Sequence, residues 1–214
     1  MWNKTIGKES AIDQVLKSLF GLGVIFMSGC ASAPPDNVGD ACAIFKEKRS
    51  WYRAVNKAQQ KWGVPKAVQL AIIRQESSFD ANAKPARNRF LFVFPGKRKS
   101  SARGYAQAID QTWARYQKDA HRPGADRDNF RHAADFVGWY VDQSYRRLGL
   151  AKTDAYQQYI AYHEGWGGFA RQSYSGKSGL EAAARRVEST AQTYQRQLSR
   201  CEKVKRNGKT RYRG

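Results

Sequence analysis

The chain has 214 residues, with 38 Lys+Arg against 18 Asp+Glu and a formal net charge of +20. That length suffices for one well-buried domain with tails. So large a basic surplus says nothing about fold, but it makes a polyanion the expected neighbour: nucleic acid, anionic lipid or an acidic cell-wall polymer.

Residues 1–29 read as a targeting segment. Lys4, Lys8 and Lys17 precede a short apolar run, Leu19 to Met27. The run is too short for an ordinary transmembrane helix. It ends in Ser28-Gly29-Cys30, followed by Ala31-Ser32-Ala33. Small residues before a Cys resemble a bacterial lipoprotein signal, which implies lipid on Cys30, a membrane anchor and export. The alternatives are a plain secretory signal or an unstructured N-terminus. Three cysteines are present: Cys30, Cys42 and Cys201. With Cys30 lipidated, Cys42 and Cys201 are expected to pair in an oxidising compartment; the alternative is two buried free thiols.

Residues 30–40 are small, Pro-containing and polar, and read as a tether. Cys42, Phe45, Trp51, Tyr52, Val55, Ala58 and Trp62 fall at helical spacing, which predicts one helix from Cys42 to Trp62, ended by Gly63. Pro65 opens the next helix, residues 65–76, which is apolar almost all round and so should be the buried one. Residues 81–103 hold seven basic residues and no acid, around Phe90-Leu91-Phe92-Val93-Phe94. A short β or extended insertion near 88–103 is expected. Helical pattern resumes at Ile109, Trp113 and Tyr116. A long helix follows, capped by Asp126 or Asp128 and stopped by Gly149. Thr153 is the expected cap of a shorter helix through Tyr162, after which Gly165, Gly167 and Gly168 break the chain. Ser178 and Glu181 form a capping-box pattern ahead of the last helix, which runs to Cys201. Residues 202–214 read as a basic, frayed tail. The domain, residues 41–201, is predicted to be mostly α.

The chemistry gathers in three strings: Glu76-Ser77, Gly104-Tyr105-Ala106-Gln107-Ala108 and Ala161-Tyr162-His163-Glu164-Gly165. A carboxylate at the end of an apolar helix is costly to keep charged, so Glu76 is a candidate general acid. Together the strings resemble the lysozyme-like catalytic domain of lytic transglycosylases of the soluble-transglycosylase (SLT) type, relatives of goose-type lysozyme, and in particular a lipid-anchored subset. The resemblance covers roughly residues 45–200. It implies that Glu76 is the catalytic acid, that Tyr162 faces the reacting sugar, and that Ser77 and Gln107 contact substrate. Tyr105 and Ala106 replace the usual Leu and Met, and His163 stands where Asn is common. The implied reaction cleaves the β-1,4 bond between N-acetylmuramic acid and N-acetylglucosamine, with the muramic acid C6 hydroxyl closing a 1,6-anhydro ring and Glu76 as single acid and base.

Glu164 is the other carboxylate to weigh; facing the cleft, it would favour a hydrolytic muramidase. Asp80 is read as a turn cap and Asp110 as a first-turn acid. Trp166, in the Gly-rich turn, is placed nearest the cleft as a sugar-stacking residue. Lys97, Arg98, Lys99 and Arg103 are candidates for steering an anionic glycan. The three histidines, His121, His132 and His163, lack metal-ligand spacing, so no metal and no cofactor are expected. The expected partner is peptidoglycan, the expected state a monomer at the outer membrane facing the periplasm. Nucleic acid is not an expected partner, and a non-catalytic, basic, glycan- or nucleic-acid-binding envelope protein is the remaining alternative.

Overall fold

The computed structural model describes residues 33–85, 87–90, 94–98, 100–204 and 210–212. The leader and Cys30 lie outside them, as does Lys99; the side chains of Lys97 and Arg98 are likewise outside. Among the described residues there are seven α-helices and two antiparallel hairpins. In chain order they are α1 (Ala41–Glu47), α2 (Arg49–Trp62), α3 (Lys66–Ser77), β1 (Arg87–Phe90), β2 (Phe94–Arg98), α4 (Asp110–Asp119), α5 (Phe130–Leu148), α6 (Ala155–Ala170), α7 (Ser178–Cys201), β3 (Glu202–Val204) and β4 (Thr210–Tyr212). The domain is mostly helical, as expected. No described helix is long and apolar enough to cross a membrane.

Helix α3 is the centre of the molecule, packed along α7 and against α2, α5 and α6. Leu70, Ile72 and Ile73 are wholly buried, and residues 66–73 are buried without a break. Each such aliphatic side chain removed from water stabilises the fold by roughly 1.5–3 kcal/mol. Gln69 is buried with them, its amide donating to the carbonyls of Val55 and Val64. Around this helix lies an aromatic layer, in which Trp51 stacks on Phe130 with ring centroids 3.9 Å apart.

Several local expectations shift by a residue or a turn. The first predicted helix is two, α1 and α2, divided at Lys48 (φ −111°, ψ 66°). Asn129, not Asp126 or Asp128, caps α5, accepting from the Arg131 amide at 3.0 Å. Asp154, not Thr153, caps α6 through the Gln157 amide at 2.9 Å. The capping box at Ser178 does not form: α7 begins at Ser178 after Lys177 with no side-chain cap, and Glu181 instead pairs with Arg185. The glycines after Tyr162 do not end α6. Gly165 alone leaves helical geometry, giving a kink. The β1–β2 hairpin matches the expected insertion, with Phe90 opposite Phe94.

Both ends of the domain are pinned. Cys42 and Cys201 form a disulfide joining α1 to α7, their Cα atoms 6.0 Å apart. The later part of the tether belongs to the fold: Gln197 accepts from the Ala41 amide and donates to the Gly39 carbonyl, and the Tyr194 hydroxyl donates to the Val38 carbonyl. The tail is not simply frayed. Glu202 pairs with Tyr212 across β3 and β4, and the Tyr212 hydroxyl donates to the Cys42 carbonyl at 2.8 Å.

Candidate active site

Glu76 occupies the last turn of α3. The helix stops because Ser78 (φ 51°) and Phe79 (φ 65°) both take left-handed backbone, unusual for residues with a side chain. Burial of the Phe79 ring, wholly covered and 5.7 Å from Trp51, holds this strained turn in place. The Ser77 hydroxyl reaches the Tyr105 carbonyl at 2.8 Å and lies 3.2 Å from the Ile73 carbonyl. It therefore ties the helix end to the second string.

The second string is a tight loop. Gly104 (φ 73°) lies so close to the next segment that a Cβ there would sit 2.2 Å from the Arg127 carbonyl oxygen. Only glycine fits both the backbone angle and the space. Gln107 is also left-handed (φ 45°), and its amide nitrogen donates to the carbonyls of Ala83 and Gly104, each at 2.8 Å. The third string closes the ring of contacts: the Tyr162 hydroxyl donates to the Ala106 carbonyl at 2.5 Å. Residues from α3, the loop and α6, far apart in sequence, thus meet through two side-chain hydroxyls on two carbonyls.

The result is a cleft of about 460 Å³ lined by Glu76, Gln107, Ile109, Phe136, Tyr140, Tyr162, His163 and Glu164, among others. Tyr140 and Phe136, from α5, form its aromatic wall; Tyr140 lies edge-on to Tyr162, centroids 4.8 Å apart, and its hydroxyl donates to the Ala161 carbonyl. Burial raises the Glu76 pKa to about 7, opposed by a hydrogen bond from the Tyr159 hydroxyl, which favours the ionised form. Tyr159 is pushed upward in turn, first by burial and then by the Glu76 charge. Tyr162 is also held well above its ordinary value by burial and by Glu76. These tyrosines are neutral donors at any physiological pH.

Glu164 behaves oppositely. Lys177 lies 2.8 Å from one of its oxygens and 3.0 Å from the other, and the Ser173 hydroxyl donates at 2.6 Å. With a weaker contribution from His163, these contacts lower its pKa to about 2, outweighing the burial of a side chain that is only 7 % exposed. The cover over Glu164 is polar, so it favours the ion rather than the acid. The two carboxyls of the cleft are therefore shifted in opposite directions: Glu76 keeps a proton to give up to about neutral pH, whereas Glu164 is an ion neutralised by Lys177.

Of the residues singled out in the sequence, Glu76, Gln107, Tyr162 and His163 line the cleft. Three do not. Ser77 spends its hydroxyl within the protein. Tyr105 is buried, 1 % exposed, with its ring edge-on to Trp51 and Phe130. Trp166 lies one layer behind the wall, stacked on Tyr140 at 4.8 Å, its ring N–H donating to Ser144, with Arg147 above it. The residue that sequence reasoning missed is Tyr159. Its position three before Tyr162, on one helix face, was the available signal.

A family model described as Transglycosylase SLT domain matches residues 18–201. No curated protein matches the chain.

Proposed function

The chain belongs to the transglycosylase SLT domain family, and from that membership we propose that it is a peptidoglycan lytic transglycosylase with Glu76 as its single acid and base. The observation that carries this reading is one carboxyl, its pKa raised by burial to about 7, at the point where the three strings converge. In the forward step the Glu76 carboxyl gives its proton to the glycosidic oxygen as the C1–O bond breaks, and the leaving sugar departs with a new hydroxyl. The ionised Glu76 then takes the proton of the muramic acid C6 hydroxyl while that oxygen bonds C1. The products are a 1,6-anhydro end and an intact acid, ready for another turn. Tyr159 donates to Glu76 and stabilises it in its ionised, intermediate form. Tyr162 and Tyr140 supply the electron-rich face along which an oxocarbenium-like sugar is stabilised.

Glu164 supports this reading over a hydrolytic one. A second carboxylate serving as base must be free to take a proton from water, whereas Glu164 is bound by Lys177 and Ser173. Lipid on Cys30, an outer-membrane location facing the periplasm and a monomeric state belong to the same proposal. The exported setting is supported by the disulfide, which persists in an oxidising compartment.

Glu76→Gln keeps the size of the side chain and removes the proton donor. Solubilisation of purified sacculi is expected to fall by about 10²–10⁴-fold, and the wild-type products are expected to be lighter by one water than those of a hydrolase. Equal lysis by both proteins would end the proposal, and reducing sugar ends would replace it with a muramidase.

A further inference from the structure

A small pocket of about 110 Å³ lies where α2 meets the first turns of α5, and it shares no lining residue with the cleft. Its floor is Ala54 and Ala58; its walls are Lys57, Arg122, Arg131, His132 and Asp135. The one acid is already engaged. Asp135 accepts from the Trp62 ring N–H on one oxygen and from the Tyr116 hydroxyl on the other, both at 2.8 Å, with Lys61 at 3.4 Å and Arg122 at 3.8 Å. Among the described residues, Lys57 and Arg131 make no ion pair with any carboxylate. The pocket therefore carries a clear excess of positive charge.

The decisive detail is a pair of donors that face each other at the exposed mouth of the pocket. The Asp126 backbone amide lies 2.9 Å from His132 Nδ1. A backbone amide only donates, so Nδ1 accepts and the ring hydrogen sits on Nε2. Burial and the nearby Arg131 and Arg122 guanidiniums also hold this ring below its ordinary pKa, in the neutral form that the geometry requires. Yet Nε2 lies 3.4 Å from an Arg131 guanidinium nitrogen, which is also a donor. Two N–H groups cannot satisfy each other. An acceptor placed beside both would satisfy both, and the positive end of the 19-residue α5 dipole favours a negative one. The space, a few water molecules' worth, suits one compact group with several acceptor oxygens and is too small for a sugar ring.

We infer that this pocket binds a phosphate group, bridged between His132 Nε2–H and the Arg131 guanidinium, with Lys57 and Arg122 supplying further charge. The guanidinium fork matches a tetrahedral oxyanion better than a point charge does. The site is independent of the cleavage reaction.

The test titrates the full chain with inorganic phosphate against chloride at matched ionic strength, reading the ring ¹⁵N resonances of His132. A saturable shift is expected, weakened about ten-fold in Arg131→Gln through loss of a charge-assisted hydrogen bond. Arg196→Gln, which removes the same charge from α7, is expected to leave the affinity as it was. Sacculus digestion should be equal in all three proteins, which reports on folding. A shift that never saturates, or an equal loss in Arg196→Gln, would mean that bulk charge alone attracts phosphate and would overturn the site. Two further probes separate the sources of the phosphate. If vesicles of phosphatidylcholine and phosphatidic acid cosediment with the protein and Arg131→Gln weakens this in step, the group belongs to a lipid headgroup. If glycerol 3-phosphate binds and vesicle association is indifferent to Arg131→Gln, it belongs to a soluble ester.

Discussion

In the folded protein Glu76 keeps its proton to about pH 7, whereas the unfolded chain releases it near the ordinary value of 4.5. The folded pKa is raised, so the associated stability is full below 4.5 and is lost as pH rises to about 7. Above that, the buried ion costs about 3 kcal/mol, the free-energy equivalent of the shift. Glu76→Gln should therefore be more stable than wild type at pH 8 by about that amount and nearly equal to it at pH 4, read from denaturant midpoints at the two pH values. The variant proposed to lose activity is thus expected to gain stability. In the proposed reaction the acid form of Glu76 does the first step, so activity should fall as pH rises through about 7. Tyr159 tunes that limb. Its hydroxyl favours ionised Glu76, so Tyr159→Phe should raise the Glu76 pKa and move the alkaline limb of kcat/KM upward by about one unit. A merely structural role for Tyr159 would lower the rate and leave the limb where it was.

At the scale of elements, the second string acts as a bracket. Its carbonyls receive the Ser77 hydroxyl from α3 and the Tyr162 hydroxyl from α6. Gly104 lets this loop lie against the Arg127 backbone. Gly104→Ala should cost about 3 kcal/mol or more, since a left-handed backbone and a clash with main chain act together. Gly149 provides the control: it has φ 71° but nothing within 4 Å of a Cβ, so Gly149→Ala should cost only about 1 kcal/mol. Thermal melts of the two variants compare these costs directly, and sacculus lysis should suffer only in the first. The caps teach a related lesson. Asn129 caps in place of the expected Asp126 or Asp128, and Asp154 in place of Thr153, because the cap falls to whichever short polar side chain reaches a free amide once the helix axis is set by packing.

Across the whole molecule, the disulfide closes the chain on itself. Its cysteines are 159 residues apart and sit on α1 and α7. In the chain-entropy model such a loop stabilises the fold by up to about 5 kcal/mol. Cys201→Ser should lower the unfolding free energy toward that extent, measured by denaturant titration of the oxidised proteins. An equal midpoint would show that packing of Tyr194 and Leu198, both buried on α7, suffices without the bridge.

The mostly helical character, the buried nature of α3, the paired cysteines and the three chemical strings were legible in the sequence. Periodicity and side-chain chemistry are local properties, carried within a few turns of chain. The sequence also marked Glu76, because an acid ending an apolar helix is anomalous wherever that helix packs. What only the tertiary structure decided was which side chains reach the cleft. Ser77, Tyr105 and Trp166 carry the right chemistry for substrate contact but are spent on carbonyls, on the core and on a second aromatic layer. Tyr159 reaches Glu76 from a different helix, whereas Glu164 is neutralised by Ser173 and Lys177 in the turn that follows its own helix. Hydrogen bonding and desolvation depend on neighbours brought together from remote parts of the chain, and no local pattern specifies those neighbours.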